Sequence, residues 1–153
     1  QLEPSISLYR NIRRLYRLGQ RYVLSHMKHE DLSPSEYLLL RHVGFHGEVS
    51  QRHLAEDMSV DKAMITRILQ KLEAKGYLRR VEDEQDGRSK KVIALPSARA
   101  IHMESRDLDS QFSDILTEGF SQEELESLDR LLTIMADRAK KLLTDSGSGG
   151  YEK

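Results

Sequence analysis

The fold is decided by residues 50–95, which read SQRHLAEDMSVDKAMITRILQKLEAKGYLRRVEDEQDGRSKKVIAL. Ser50 is a favourable N-cap for a first short amphipathic helix of about two turns. Asp61 offers a carboxylate to the free N–H groups of a second helix over residues 62–75, which Gly76 ends. Two short helices joined by a tight connection predict a helix-turn-helix unit.

The second of these helices has two chemically distinct faces. Its apolar stripe consists of Ile65, Ile68, Leu69 and Leu72. The opposite face carries small, hydroxyl, amide and cationic side chains, namely Lys62, Ala63, Thr66, Arg67 and Gln70. Such side chains suit a helix that lies in the major groove of DNA, because they can approach closely and form hydrogen bonds with base edges or phosphates. An ordinary solvated helix face is the alternative.

Two strand-like runs follow, at residues 77–82 and 90–95, where β-branched and aromatic residues occur. The polar residues between them predict a hairpin with a long tip that carries Arg88 outward. An arginine in that position suits a narrow minor groove, where negative potential is concentrated. Asp86 is expected to hold the Arg88 guanidinium or the turn, and Gly87 to relax the backbone. For the tip alone, a simple soluble turn is the alternative.

The order of these elements, above all LEAKGYLRR followed by Asp86-Gly87-Arg88, resembles the MarR family of bacterial winged-helix transcription regulators. The resemblance is specific over residues 50–95, and the helices on either side extend it to nearly the whole chain. It implies a mainly α fold with a small β-hairpin wing, a winged helix-turn-helix with N- and C-terminal dimerisation helices. It also implies an obligate homodimer, a recognition helix over residues 61–75, and a wing whose Arg88 enters the minor groove.

One departure from the family pattern follows the second strand. The family commonly has Thr-x-x-Gly there, whereas this chain has Pro96-Ser97-Ala98-Arg99. We therefore expect Ser97 to cap the next helix. The residues predicted to contact DNA are unaffected, and they are Ser50, Asp61, Lys62, Ala63, Thr66, Arg67, Gln70, Arg88 and Lys90, with Asp86 and Gly87 supporting the wing.

The segment before the winged region is predicted to be helical and to help join two copies of the chain. Within residues 5–30, apolar side chains recur at helical spacing and arginines occupy much of the remaining surface. These arginines suit the rim of an interface, or contact with the DNA backbone. The run Ser33-Pro34-Ser35-Glu36 then predicts a capping box and a helix to about Phe45, which opens a winged domain over residues 33–96.

Residues 97–145 have the clearest periodicity in the chain. Apolar residues alternate spacings of three and four on both sides of Gly119, and Ser121 with Glu124 predicts a second capping box. The pattern predicts two antiparallel helices whose narrow apolar seams are buried against a second copy of the chain. The remaining residues, 146–153, predict a disordered tail.

Composition narrows the function classes. The 153 residues include no cysteine, which excludes a thiolate metal site and cysteine-based redox sensing. The sequence has no apolar run of about 18 residues and no signal-peptide pattern, so the expected location is the cytoplasm. It also has no Gly-rich phosphate loop and no catalytic nucleophile or zinc-protease motif, so neither an enzyme nor a cofactor is expected.

The net charge of −1 is unevenly distributed along the chain. Residues 50–95 hold ten Lys or Arg against eight Asp or Glu, whereas residues 96–153 hold seven against twelve. The positive balance in the first of these segments fits a local phosphate-binding surface, whose affinity falls as salt rises.

Two further groups of residues are candidates for binding small ligands. Effectors of the family bind where the dimerisation helices meet the winged domain, and the matching candidates are Tyr9, Tyr16, Arg17, Tyr37 and His42. Aromatic residues at helical spacing are more often part of a core. Weak candidates for metal ligation are His26, His29, His42, His46 and His102. His42 and His46 have a chelating spacing, but such histidines are common at helix ends and no metal is predicted.

These features together predict a homodimeric DNA-binding transcription regulator, a repressor on pseudo-palindromic operators, released by a small molecule such as a phenolic or aromatic anion. A zinc-responsive regulator of the same family is one alternative. The alternative from another class is a winged-helix protein-interaction module without DNA binding, which would be expected to lack the cations on the recognition helix and wing. The expected partners are double-stranded DNA, a second copy of the chain and the effector, with no membrane.

Overall fold

The computed structural model describes residues 3–146 and is mainly helical, with one small antiparallel sheet. The elements in chain order are α1 (Pro4–Ser25), α2 (Pro34–His46), β1 (Glu48–Ser50), α3 (Gln51–Met58), α4 (Lys62–Ala74), β2 (Leu78–Glu82), β3 (Lys90–Ala94), α5 (Pro96–Leu116) and α6 (Gln122–Ser146). This architecture confirms the predicted mainly α fold with a hairpin wing.

The helices α3 and α4 begin at the caps that the sequence predicts. Ser50 Oγ accepts a hydrogen bond from His53 N at 3.0 Å, and Asp61 Oδ1 accepts one from Met64 N at 2.9 Å. These bonds satisfy N–H groups that the first turn of each helix leaves free. The observed end of α4, at Ala74, is one residue before the predicted end. The prediction is this close because the left-handed Gly76 ends the helix through local backbone geometry.

The start of α2 follows the prediction only in part. Ser33 Oγ accepts a hydrogen bond from Glu36 N at 3.2 Å. The Glu36 carboxylate, however, is buried and accepts a hydrogen bond from Lys75 Nζ at 2.7 Å instead of completing a capping box. The predicted reciprocal box is therefore wrong here, because an ammonium group binds a buried carboxylate more strongly than a backbone N–H does.

The prediction that Ser97 caps the next helix is wrong. Helix α5 begins at Pro96, two residues before the start that a Ser97 cap would give, and the Ser97 hydroxyl donates a hydrogen bond to Gly76 O at 2.9 Å. Proline suits the first helical position because its φ angle is already helical and it has no N–H group to satisfy. The Ser97 hydroxyl is thus free to tie the start of α5 to the turn between α4 and β2.

The sheet contains a strand that the sequence does not predict. The strands lie in the order β1-β3-β2, and both pairs are antiparallel. Val49 of β1 lies opposite Val92 of β3, and both side chains are buried. Three residues are too few for an alternating pattern, so β1 is defined only by its pairing with β3.

One apolar core holds the winged region together. Its largest fully buried side chains include Tyr37, Leu40, Leu54, Ile65, Leu69, Leu72, Leu78, Val92 and Ile101. Three of these come from the predicted stripe of α4, and Ile68 is partly buried at the edge of the stripe. Because this stripe is packed inward, the opposite face of α4 is directed to solvent.

The chain divides into two compact units, residues 1–112 and 113–153, and the division falls within α5. In the second unit, Ser121 N donates to Glu124 Oε2 at 2.9 Å and Glu124 N donates to Ser121 Oγ at 3.1 Å. The second predicted capping box is therefore confirmed.

The predicted functional division into residues 33–96, 5–30 and 97–145 stays a prediction. The predicted tail, residues 146–153, lies outside the described residues except for Ser146, where α6 ends. Over residues 3–146, none of the helices combines the length and the apolar character that crossing a membrane requires.

Candidate nucleic-acid interface

The solvent-facing side of α4 has the composition that the sequence predicts. Its exposed side chains include Lys62, Ala63, Arg67 and Gln70, together with Met64, which sequence analysis did not single out. Two cations, an amide and one small residue allow close approach to a duplex and hydrogen bonding with base edges or phosphates. In a helical projection Met64 lies at the border of the buried stripe. This position could have identified it from the sequence as a residue of the exposed face.

Thr66 does not offer a free hydroxyl on this face. Its side chain is partly buried, its Oγ1 donates to Lys62 O at 2.8 Å, and it accepts a hydrogen bond from Gln51 Nε2 at 2.7 Å. Gln51 opens α3, so this contact links the two helices of the helix-turn-helix. Both hydrogen bonds of the Thr66 hydroxyl are therefore made within the helix-turn-helix, and contact of Thr66 with DNA stays a prediction.

Two further predicted DNA contacts, Ser50 and Asp61, are used as N-caps of α3 and α4. Asp61 is exposed and Ser50 is partly buried. Both side chains therefore fix the start of a helix near the candidate surface.

The tip of the wing is organised by aspartate side chains. Asp83 Oδ1 accepts a hydrogen bond from Gln85 N at 3.0 Å, and Asp86 Oδ1 accepts one from Arg88 N at 3.2 Å. These short-range contacts are turns of the kind that aspartate favours. Gly87 does not have a left-handed backbone, and its predicted role in relaxing the turn stays a prediction.

Asp86 does not hold the Arg88 guanidinium, which was one of its two predicted roles. Its Oδ2 lies 3.3 Å from Nη1 of Arg52, on α3. The wing tip is therefore connected to the helix-turn-helix by an ion pair between residues far apart in sequence. Sequence analysis missed Arg52 because spacing indicates only a local i,i+4 partner, Glu56. That pair is present in the structure at 3.8 Å.

Several cations of the winged region are left without an acidic partner. Arg80 pairs with Glu73 at 3.4 Å, and Lys91 pairs with Glu48 at 3.3 Å. Among residues 3–146, by contrast, four predicted DNA contacts form no ion pair and are exposed, namely Lys62, Arg67, Arg88 and Lys90. Their charge is available to an external anion such as a phosphate.

The C-terminal end of α4 is anchored by a polar cluster. Lys75 Nζ donates to the Asp31 carbonyl oxygen as well as to Glu36, and the Tyr77 hydroxyl donates to Asp31 Oδ2 at 2.7 Å. The hydrogen bond from Tyr77 lowers the pKa of Asp31. Burial, followed by this hydrogen bond, raises the pKa of Tyr77 to about 12. The cluster fixes α4 to the segment between α1 and α2.

A cleft of about 850 Å³ lies within the first unit. Its lining includes Tyr16 of α1, Arg41, His42 and Phe45 of α2, and His102 of α5. The aromatic and cationic side chains make it suitable for an aromatic anion.

Two of the five predicted effector residues, Tyr16 and His42, therefore line this cleft. Tyr9 and Arg17 are exposed and do not line it, and Tyr9 lies under the Arg13 guanidinium at 5.1 Å. Tyr37 belongs to the core, where burial, and then the charge of Glu104, raise its pKa to about 12. Sequence spacing identifies a helix face but does not show which other helix covers it.

The predicted histidine candidates separate into different environments. His29 Nε2 lies 2.6 Å from Glu104 Oε2, and His26 Nδ1 lies 2.8 Å from Tyr22 O at the end of α1. The His102 ring stacks edge-on against Phe45 at 5.7 Å. His42 and His46, on the contrary, lie together with Asp57 of α3, a residue that sequence analysis did not include. Burial lowers the pKa of His42.

The fold defines a winged helix-turn-helix protein, and α4 and the wing form its candidate DNA surface. Residues 30–89 match the sequence model of the MarR family. YybA of Bacillus subtilis, described as an uncharacterized HTH-type transcriptional regulator, is 29% identical over 102 residues, which cover 67% of this chain and 68% of YybA. Over residues 30–89 the chain is therefore similar to the MarR family, which consists of transcription regulators.

Solved structures support the same fold. A cysteine-to-serine variant of MarR from E. coli complexed with operator DNA superposes with a TM-score of 0.63 and 24% identity, covering 85% of this chain and 94% of that one. BpsR of Bordetella bronchiseptica, whose DNA binding is regulated by 6-hydroxynicotinic acid, gives a TM-score of 0.64 and 20% identity over 85% of this chain and 98% of BpsR.

Proposed function

We propose that this chain is a homodimeric transcription repressor that binds a pseudo-palindromic DNA operator. The observation that supports this most directly is the exposed face of α4 together with a wing on which Arg88 and Lys90 have no ion-pair partner among the described residues. A winged-helix module that binds only proteins has no need for unpaired cations on both elements. The E. coli relative complexed with operator DNA supports the same proposal.

The side chains of α4 suggest distinct roles. Arg67 and Gln70 are proposed to contact base edges, because guanidinium groups suit guanine and amide groups suit adenine. Lys62 is proposed to contact a phosphate, since it lies in the first turn of α4 where the helix N-terminus also favours an anion. Ala63 leaves room for the duplex to approach the helix closely.

The wing is proposed to reach the minor groove. Arg88 is exposed at the tip, and within the described part of the chain only its backbone N–H is engaged, by Asp86. The negative potential of a narrow A·T-rich minor groove attracts a guanidinium in this position. Lys90, at the start of β3, is proposed to contact the adjacent phosphate backbone.

Exposed apolar side chains support association of two copies. In the first unit, α1 exposes Leu8, Leu15 and Leu18, and in the second unit, α6 exposes Leu128, Leu131 and Leu132. Large exposed apolar surfaces commonly mark interfaces. A homodimer would present two copies of α4 to half-sites about one helical turn apart. As a repressor of transcription, it is proposed to act in the cytoplasm.

Release from DNA is proposed to follow binding of an aromatic anion in the cleft. Tyr16 and Phe45 offer aromatic surfaces, and His42 and Arg41 offer polar groups beside them. Arg41 is paired with Asp109 at 2.7 Å, so an incoming carboxylate would compete with Asp109 for its guanidinium. The regulation of BpsR by an aromatic acid supports this class of ligand.

The DNA-binding proposal is tested by selection of bound duplexes from a random pool, followed by titration of the selected sequence. We expect enrichment of a two-fold-related sequence and a loss of affinity of about tenfold or more for Arg67→Ala and Arg88→Ala. Lys28→Ala, an exposed cation between α1 and α2, serves as the matched control and should bind normally. Absence of any enriched sequence would favour the protein-interaction module.

The effector proposal is tested on the selected duplex with 6-hydroxynicotinic acid and benzoic acid. We expect release of the duplex from the unmodified protein, and weaker release from Tyr16→Ala. Tyr9→Ala is the matched control, because Tyr9 lies on the same helix but does not line the cleft. Equal effects of the two substitutions would contradict a role for the cleft.

A further inference from the structure

We propose that His42, His46 and Asp57 form a binding site for a divalent transition metal of the zinc type. One ligand atom from each of these three side chains lies within 4.8 Å of the other two. His46 Nε2 lies 4.0 Å from Asp57 Oδ2. Two imidazoles and one carboxylate are a donor set that zinc accepts in proteins.

The site arises from the way α3 packs on α2. His42 and His46 are separated by one turn of α2, so their side chains lie on the same face of that helix. Asp57 is the penultimate residue of α3 and lies two residues before the left-handed Ser59 that ends this helix. A metal ion at this point would join α2 to the end of α3 immediately before the turn that leads into α4.

The distances require only a small adjustment to suit a metal ion. Zinc bonds of about 2.0–2.2 Å in a tetrahedral arrangement place ligand atoms about 3.4 Å apart. The separations of up to 4.8 Å exceed this value by at most about 1.4 Å, which rotation about side-chain bonds can supply because all three residues are exposed.

Neighbouring groups support the same ligand set. His53 Nε2 lies 3.2 Å from Asp57 Oδ2, one turn earlier on α3, so it can orient the carboxylate by a hydrogen bond. The three proposed ligands also line the cleft described above, which leaves room for a water molecule at a fourth coordination position. The competing explanation is a metal-free cluster in which the Asp57 carboxylate only pairs with histidines.

The proposal is independent of DNA binding, and it is therefore tested without DNA. The protein is purified without a histidine tag, treated with a chelator and titrated with ZnCl₂ in a calorimeter. We expect one zinc ion per chain, and a loss of affinity of about 100-fold in the double variant His46→Asn/Asp57→Asn. Substitution of Co²⁺ should produce the visible absorption of a tetrahedral site, which the double variant should lack.

Two control variants test the location of the site. His26→Ala removes a histidine at the end of α1, and His102→Ala removes one that lines the same cleft outside the cluster. Both should bind zinc within about threefold of the unmodified protein, while His53→Ala should weaken binding by about tenfold. Loss of affinity in His102→Ala equal to that in the double variant would overturn the assignment to α2 and α3.

The fold of the double variant is checked by thermal unfolding in the absence of metal, which should match that of the unmodified protein. Zinc should then raise the melting temperature and slow amide exchange in α3 for the unmodified protein alone. The proposal is wrong if the unmodified protein binds no zinc, or if the folded double variant binds it equally well.

Discussion

At the scale of single residues, several polar side chains are occupied by partners that lie far away in the sequence. Thr66 bonds with Gln51, Asp86 with Arg52, and Glu36 with Lys75. Each of these contacts positions a part of the candidate DNA surface without itself being directed at DNA. Residue identity alone therefore does not distinguish a side chain that would contact DNA from one that positions the helix or wing that would contact it.

The ion pair between Arg52 and Asp86 should affect DNA binding through the position of the wing. We expect Arg52→Ala to weaken binding by about two- to fivefold, because exposed ion pairs are worth at most about 1 kcal/mol. Fluorescence anisotropy with Arg52→Ala, Asp86→Asn and the double variant measures the coupling. Effects of the two substitutions that simply add would show that the pair has no role in positioning the wing.

Tyr37 and Tyr77 should make the fold sensitive to alkaline pH. The pKa of each is raised to about 12 in the folded protein, chiefly by burial, from a reference value of 10.0. Between about pH 10 and about pH 12 the two tyrosines therefore keep their protons in the folded state and lose them in the unfolded state. The stability that the protonated tyrosines contribute is complete below about pH 10 and is lost as pH rises through about 12.

Urea unfolding from about pH 9 to about pH 12 measures this loss. We expect the free energy of unfolding to decline less steeply in Tyr37→Phe/Tyr77→Phe than in the unmodified protein. At neutral pH the single variants should differ, because Tyr77 donates to Asp31 whereas the buried Tyr37 hydroxyl has no hydrogen-bond partner among the described residues. Identical pH profiles for the unmodified protein and the double variant would refute the expectation.

At the scale of elements, local sequence signals predict where a helix begins and ends, but they do not predict which other element it packs or pairs with. Asp61 and Gly76 determine α4 because capping and left-handed termination act within a few residues. Strand β1 was not predicted because it depends on pairing with β3. The start of α5 was predicted wrongly because the helix begins at a proline and the Ser97 hydroxyl is bound to Gly76 O. The crossing of α2 and α5 likewise depends on contacts between distant parts of the chain and not on local signals.

Gly44 allows α2 and α5 to approach each other closely. A Cβ atom added there would lie 2.5 Å from Ala98 O and 2.6 Å from His102 Cβ, so α5 would have to move. We expect Gly44→Ala to destabilise the protein by about 1–3 kcal/mol in urea unfolding, despite the higher helix propensity of alanine. Gly87→Ala is the control and should be nearly neutral, since no atom lies within 4 Å of the added Cβ. A stable Gly44→Ala variant would mean that the two helices separate at little cost.

At the scale of the whole molecule, the exposed leucines are the feature that a single chain does not explain. Leu131 of α6 is 50% exposed, and neighbouring leucines of the same helix are similarly accessible. Covering such side chains is favourable by about 25 cal/mol for each square ångström of apolar surface removed from water. Association of two copies would supply this cover and would align two recognition helices on one duplex.

Leu131→Glu should therefore weaken the dimer by at least about tenfold, because a charge would be buried against apolar surface. Light scattering coupled to size-exclusion chromatography, performed over a range of concentrations, measures the effect. Thr133→Glu introduces the same charge at an exposed polar position of α6 and serves as the control. A dimer that survives Leu131→Glu unchanged would place the interface elsewhere.

The sequence by itself determined the order of elements, the faces of α4 and the exposed cation at the wing tip, because caps, helical periodicity and turn chemistry act over a few residues. Only the tertiary structure decided that Thr66 is occupied, that Asp86 pairs with Arg52, and that His42 and His46 meet Asp57. Such contacts join side chains from different elements, and their formation depends on how the apolar faces pack. Local patterns contain no information about which surfaces that packing brings together.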